Sequence, residues 1–210
     1  VIERRPKLRI ALCWAYALLH RHVEAQSVFE QITRDLASSD AVDEEIMDHL
    51  RAIEPVVVAL ADRFDESMRL AEHNRSSLTS PGSFSWDILT ILLGTRFMEL
   101  GRFREAHSLL EAGLQNQRET GNLLSATHSA CLLGTLELTQ GRLRKATELF
   151  RWAASRGPHD PESGQAGAAA AIYLASALYE MDELDEAEVL LMKVPVLMGW
   201  FIRGKIKPEH

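Results

Sequence analysis

Apolar and polar positions along the chain alternate with a helical period and regroup about every forty residues. GRFREAHSLLEAG (101–113), GRLRKATELFRWA (141–153), DELDEAEVLLMKV (182–194) and DRFDESMRLAEHN (62–74) are copies of one pattern, and HRHVEAQSVFEQI (20–32) is a looser fifth. Aligned on one small residue, the copies place Ala25, Ser67, Ala106, Ala146 and Ala187 in register, at spacings of 42, 39, 40 and 41 residues. A large apolar residue stands three before this position in four copies (Phe64, Phe103, Leu143, Leu184) and four after it in most (Phe29, Leu110, Phe150, Leu191). That spacing puts both on one face of a helix. Twelve before the aligned position lie Cys13, Gly94, Gly134 and Ala175, small residues that let a second helix approach closely. Each copy therefore reads as a helix, a tight polar turn and a second helix. Gly101 and Gly141 in those turns suit the left-handed residue that ends a helix.

Self-similarity at this period marks a solenoid, in which each unit covers its neighbour's apolar face. The expected fold is all-α: a right-handed α-α superhelix of about five hairpins, at about 6–38, 42–77, 85–119, 122–156 and 162–194. One array then fills 1–194, and 195–210 is a tail or cap whose Val196, Leu197, Trp200, Phe201 and Ile202 suit covering the last repeat. Three departures stand out. His22 and Glu137 occupy places where a large apolar residue is expected, and Pro55 replaces the small residue of repeat two. Proline inside a helix removes a hydrogen bond, so a kink or break is expected near Glu54–Pro55. Ser39 and Asp40 have the character of helix caps.

The chain has 210 residues, 46% hydrophobic and 25% charged, with a net charge of −7. That balance supports a continuous core and disfavours direct contact with nucleic-acid phosphates. No apolar run is long enough to span a bilayer, and the absence of an initiator Met reads as a piece of a longer polypeptide. Cys13 and Cys131 lack metal or redox spacing and read as buried, inert thiols of a cytoplasmic protein. Gly199 to Lys205 matches G-x-x-x-x-G-K, but Ile206 stands where a phosphate loop needs Ser or Thr, and no strand-and-helix context surrounds it. The eight histidines form no metal-binding spacing. No catalytic constellation emerges, so the expectation is a non-enzyme without metal or cofactor.

The small-x-x-aromatic element followed nine residues later by Ala, complete in repeats one and three, resembles the tetratricopeptide signature. The period exceeds the ~34 of a standard copy, as in long-helix variants. More narrowly, the chain resembles the sensor region of large, ATP-dependent LuxR-family bacterial transcription regulators of the MalT type. ALCWAYALLHRHVEAQSVFEQI (11–32) and GPHDPESGQAGAAAAIYLASALYEMDELDEAEVLL (157–191) carry that resemblance. It implies an effector-sensing array that controls nucleotide-binding and helix-turn-helix modules outside this chain, with ATP bound only there and self-association of the active form. It also implies that the first helices line a concave groove. The groove positions are then Trp14, Thr95, Met98, Thr135, Leu138, Ser176 and Tyr179, with Lys7, His49 and His128 one or two turns earlier. Aromatic faces with hydroxyl, imidazole and ammonium groups suit a small polar or aromatic effector, or a peptide. The alternative is a general scaffold for a protein segment, unconnected with transcription.

Overall fold

The computed structural model describes residues 5–37, 43–78, 80, 82–155 and 164–192. Among these it contains ten helices and no strand. They are α1 (Pro6–Leu18), α2 (His22–Ala37), α3 (Glu44–Leu60), α4 (Phe64–Ser77), α5 (Phe84–Glu99), α6 (Phe103–Thr120), α7 (Leu123–Thr139), α8 (Leu143–Ala154), α9 (Gly164–Glu180) and α10 (184–192). The chain divides into two compact units, Val1–Arg96 and Phe97–His210, with the boundary inside α5. In the first, α1 packs on α2 and α3, and α3 on α4. In the second, α6 packs on α7, α7 on α8 and α9, and α8 on α9. Within each unit the hairpins pile up in sequence order. Ser39, Asp40, the Gly-Pro loop at 157–158, the G-x-x-x-x-G-K stretch and the tail 195–210 lie outside the described residues.

The hairpin turns share one geometry. His20, Asp62, Gly101, Gly141 and Asp182 all adopt positive φ, between 54° and 73°. The next amide then bonds back to the carbonyl five residues earlier: Arg21 to Tyr16 at 2.9 Å, Arg102 to Phe97 at 2.8 Å, Arg142 to Glu137 at 2.9 Å, Glu183 to Leu178 at 2.9 Å. This is the Schellman closure, which satisfies carbonyls that the helix end leaves open.

The aligned small residues form the seam between the helices of each hairpin. Ala25, Ser67, Ala106 and Ala146 are fully buried, and Ala187 nearly so. Across the seam, Cys13 Sγ lies 3.3 Å from the Ala25 carbonyl, and Ser67 Oγ donates to the Pro55 carbonyl at 2.7 Å. At Gly134 a Cβ would fall 2.4 Å from Phe150 Cε1, so any side chain there has to displace the ring. Around these seams lie apolar cores: Ile10, Ile32, Ile46, Leu50, Ile53 and Val57 in the first unit, and Leu110, Leu114, Leu133, Phe150, Leu174 and Leu178 in the second.

Of the kink or break expected near Glu54–Pro55, the break does not occur. Helix α3 runs unbroken from Glu44 to Leu60. Pro55 lacks the amide that would bond to the Arg51 carbonyl. Asn74 on α4 supplies the missing donor, its Nδ2 lying 2.9 Å from Arg51 O. Helix α3 is capped by Asp43, whose carboxylate accepts the Glu45 amide at 3.0 Å.

Candidate functional site

In the first unit, α3 and the start of α5 line one cleft, and Lys7 and Trp14 of α1 contact residues of its lining. The Asp43 cap fixes the start of α3 and presents Glu44 and Glu45 in its first turn, where carboxylates complement the helix dipole. Glu45 meets Lys7 of α1 at 2.5 Å and lies 4.0 Å from His49, one turn along α3. The other ring nitrogen of His49, Nδ1, is 3.4 Å from Ser85 Oγ at the start of α5. Phe84 lies beside Ser85, its ring centroid 6.3 Å from that of His49 and 5.8 Å from that of Trp14 on α1, the latter edge-on at 78°. The cleft holds about 320 Å³ and is lined by Glu45, Asp48, His49, Phe84 and the hydroxyls of Ser80, Ser83 and Ser85. The Phe84 ring remains 40% exposed. Trp14 Nε1 is buried without a hydrogen-bond partner among the described residues. The Glu45 contact raises the affinity of the Lys7 ammonium for its proton; both side chains are exposed, so the pair adds little to stability.

Of the expected groove positions, Trp14 and His49 each meet the Phe84 ring, and Lys7 pairs with Glu45, one turn before His49. Phe84 is the member that sequence reasoning missed. It stands at a helix start, outside the register positions that the repeat pattern marks. Thr95, farther along α5, is half-buried and donates its hydroxyl to the Ile91 carbonyl at 2.9 Å.

The remaining positions lie in the second unit. Met98 packs against the core of Leu110, Leu114 and Leu133, and Leu138 against that of Phe150 and Leu178. Thr135 is half-buried and bonds to the Cys131 carbonyl at 2.9 Å. His128 is exposed, with Nδ1 3.0 Å from the Leu124 carbonyl. Ser176 and Tyr179 are exposed on α9, Tyr179 by 67%.

The larger cleft of the second unit involves none of these six residues. It holds about 760 Å³ between the second helices α6 and α8, over α7. His107, Glu111 and Arg118 stand on the α6 side, Lys145 and Glu148 on the α8 side, and Leu133 and Glu137 at the floor. Arg118 lies over the Trp152 ring, 4.0 Å from its centroid. Glu137 is 2% exposed, bonded to Arg142 and 3.0 Å from His107 Nε2. The Arg142 guanidinium holds the Glu137 carboxyl below the usual carboxylate range, against the opposing effect of burial. The sequence signal for this feature is Glu137 itself, a charged residue in an apolar register.

Cys13 and Cys131 are buried, and burial pushes their thiols up to about 11 and about 12. Neither is a thiolate near neutral pH. No group of three or more His, Cys, Asp or Glu among the described residues is placed to hold a metal ion. No helix among them is long and apolar enough to cross a membrane.

No protein-family profile and no curated protein sequence matches the chain. Solved structures do. BtubC (BKLC) from P. vanneervenii superposes with a TM-score of 0.73 at 12% identity, over 100% of this chain and 85% of that one. The nearly identical TPR-like repeats from Podosopora anserina give 0.65 at 19% identity, over 97% and 99%. The Rap conjugation gene regulator of plasmid pLS20, solved in complex with the Phr* peptide, gives 0.74 at 18% identity, over 92% of this chain and 53% of that one. At these identities the likeness concerns the fold, which is the tetratricopeptide-like helical-repeat solenoid.

Proposed function

We propose that this chain is a recognition module, not an enzyme, and that the first-helix cleft of residues 1–96 takes a peptide or protein segment. The convergence of Trp14, His49 and Phe84 from three successive first helices carries the reading. It sets an exposed aromatic ring and an imidazole beside the carboxylates of Glu45 and Asp48, with the Trp14 indole, its N–H buried and unspent, edge-on to that ring. Aromatic surface with a few convergent polar groups is the usual make-up of a recognition cleft. The fold-level likeness to a Rap regulator solved with a peptide supports a peptide over a small metabolite. The test is a thermal-shift screen of the chain against peptide pools, sugars and aromatic acids, repeated with Trp14→Ala and His49→Ala. A ligand of the folded form raises the melting temperature by mass action. Stabilisation by peptides that both variants abolish is the expected result. Equal stabilisation of all three proteins by the same peptide removes the cleft from the proposal.

A narrower reading has the array sense its ligand for a LuxR-type regulator of the MalT kind. The similarity of 11–32 and 157–191 to that sensor region favours it. The ligand then acts by binding one arrangement of the regulator better than another, with leverage equal to that difference in affinity. ATP belongs to a module outside this chain, and the active form self-associates. The encoding gene decides the matter: a phosphate-binding loop upstream and a helix-turn-helix downstream support the regulator. An open reading frame with neither leaves the general scaffold.

A further inference from the structure

Glu137 breaks the repeat in a way that involves two other residues. Its register position, three beyond the small residue of the first helix, is Tyr16, Val58, Phe97 and Leu178 in the other copies. A carboxylate buried there is strongly disfavoured unless both oxygens are matched. Both are: Oε2 takes the guanidinium of Arg142, and Oε1 lies 3.0 Å from His107 Nε2.

Each partner is a coordinated departure. Arg142 stands just before the second helix, as do Arg21, Arg63 and Arg102 in the first three copies. Those three each pair with a glutamate three residues on: Glu24, Glu66 and Glu105. Arg21 and Arg102 also lie over the rings of Tyr16 and Phe97, at 4.8 and 4.3 Å from the centroids. Repeat four has Lys145 where the glutamate belongs, so the arginine loses its local partner and Glu137 replaces it. His107 is the second departure. It follows the aligned small residue of repeat three, where the other copies have Gln26, Met68, Thr147 and Glu188.

We propose that His107, Glu137 and Arg142 form an ordering key, which makes the seating of α6 on the α7–α8 hairpin non-interchangeable with any other hairpin, in this chain or in a second copy. Repeats that bury similar apolar columns have wrong-order stacking and exchange between copies as their nearest competing states. A buried polar pair in one junction discriminates by what it does to the wrong partner. Met68 at the His107 position offers no donor, Thr147 is too short to reach, and Glu188 repels. Only Gln26 carries a donor of similar reach.

The test uses the full 210-residue chain. Glu137→Leu with Lys145→Glu restores the pattern of the other copies, an apolar column and a glutamate for Arg142. After dilution from denaturant at high protein concentration, the share of protein eluting ahead of the native species is measured. This share is expected to rise at least threefold, with a melting temperature equal to or above that of the unmodified chain. An unchanged share overturns the proposal, whatever the melting temperature does. Should that variant fail to fold, His107→Met and His107→Gln decide. The Met variant raises the misassembled share and the Gln variant does not. Equal shares in the two overturn the proposal.

Discussion

Repeats two and four fill the same seam by opposite means. Repeat four places Gly134 opposite Phe150, a hydrogen opposite a fully buried ring. Repeat two places Pro55 and Ala71 at the same register positions, so the bulk moves to the first helix and the small residue to the second. Their polar groups are exchanged as well. In repeat two, polar contacts lie on the seam itself, where Ser67 and Asn74 serve α3 carbonyls around the proline. In repeat four the positions of Ser67 and Asn74 are Ala146 and Ala153, and a buried carboxylate, Glu137, sits one turn along α7 where repeat two has Val58. The same seam can thus be filled from either helix, and its buried polar groups can be served from different positions.

The sharpest test of how the repeat-four seam is filled is Phe150→Ala. It empties the larger half of a pair whose other half is a glycine and leaves a cavity between α7 and α8. A loss of about 3–5 kcal/mol is expected in chemical denaturation. A loss near 1 kcal/mol means that the helices close up and the seam is not volume-limited.

Next in size is Glu137→Gln, at about 3 kcal/mol near neutral pH, because it leaves the Arg142 and His107 side chains facing an uncharged amide. The effect carries a pH signature. The Glu137 carboxyl is depressed by Arg142 from an unfolded-state value near 4.5, so its contribution is fully present above about pH 4.5. It fades as pH falls through the lower folded-state value. The stability difference between the unmodified chain and the variant is therefore flat from pH 7 to 5 and shrinks below. A difference that stays flat into strong acid assigns the loss to packing. Smaller again is Gly134→Ala, at about 2 kcal/mol, since the added Cβ displaces a ring held on all sides.

The hairpins and the seams were legible because both rest on periodicity. Small residues twelve apart, with large ones three before and four after, admit few arrangements other than paired helices. The left-handed turns were legible where glycine marks them, at Gly101 and Gly141. They were hidden at His20, Asp62 and Asp182, where the backbone closure imposes positive φ on residues with side chains. Lys7, Trp14 and His49 were placed on a first-helix face by register alone; His49 lines the cleft, while Trp14 and Lys7 contact its Phe84 and Glu45. Phe84 was not legible, because its contribution comes from where α5 starts. The second-helix cleft also escaped prediction, since its chemistry arises between helices from residues that look solvated in each helix separately. Glu137 was visible as an anomaly, but its partners came from α6 and from the turn before α8.

The smallest effect separates the two repeats most cleanly. Asn74→Ala removes the donor that serves the Arg51 carbonyl, and an unserved buried carbonyl costs about 1–2 kcal/mol. The carbonyl needs that donor only because residue 55 has no amide hydrogen. Pro55→Ala restores one, aimed along the helix at the same oxygen. In that background Asn74→Ala is expected to cost less by about 1 kcal/mol, read as a coupling energy in a double-mutant cycle. Equal costs in both backgrounds mean that Asn74 matters through its 3.2 Å contact with Glu54 or through packing, and not as a substitute amide. Unequal costs establish that α3 runs through its proline because α4 supplies the hydrogen bond the helix lacks, a repair that repeat four, with Gly134 at that position, does not need.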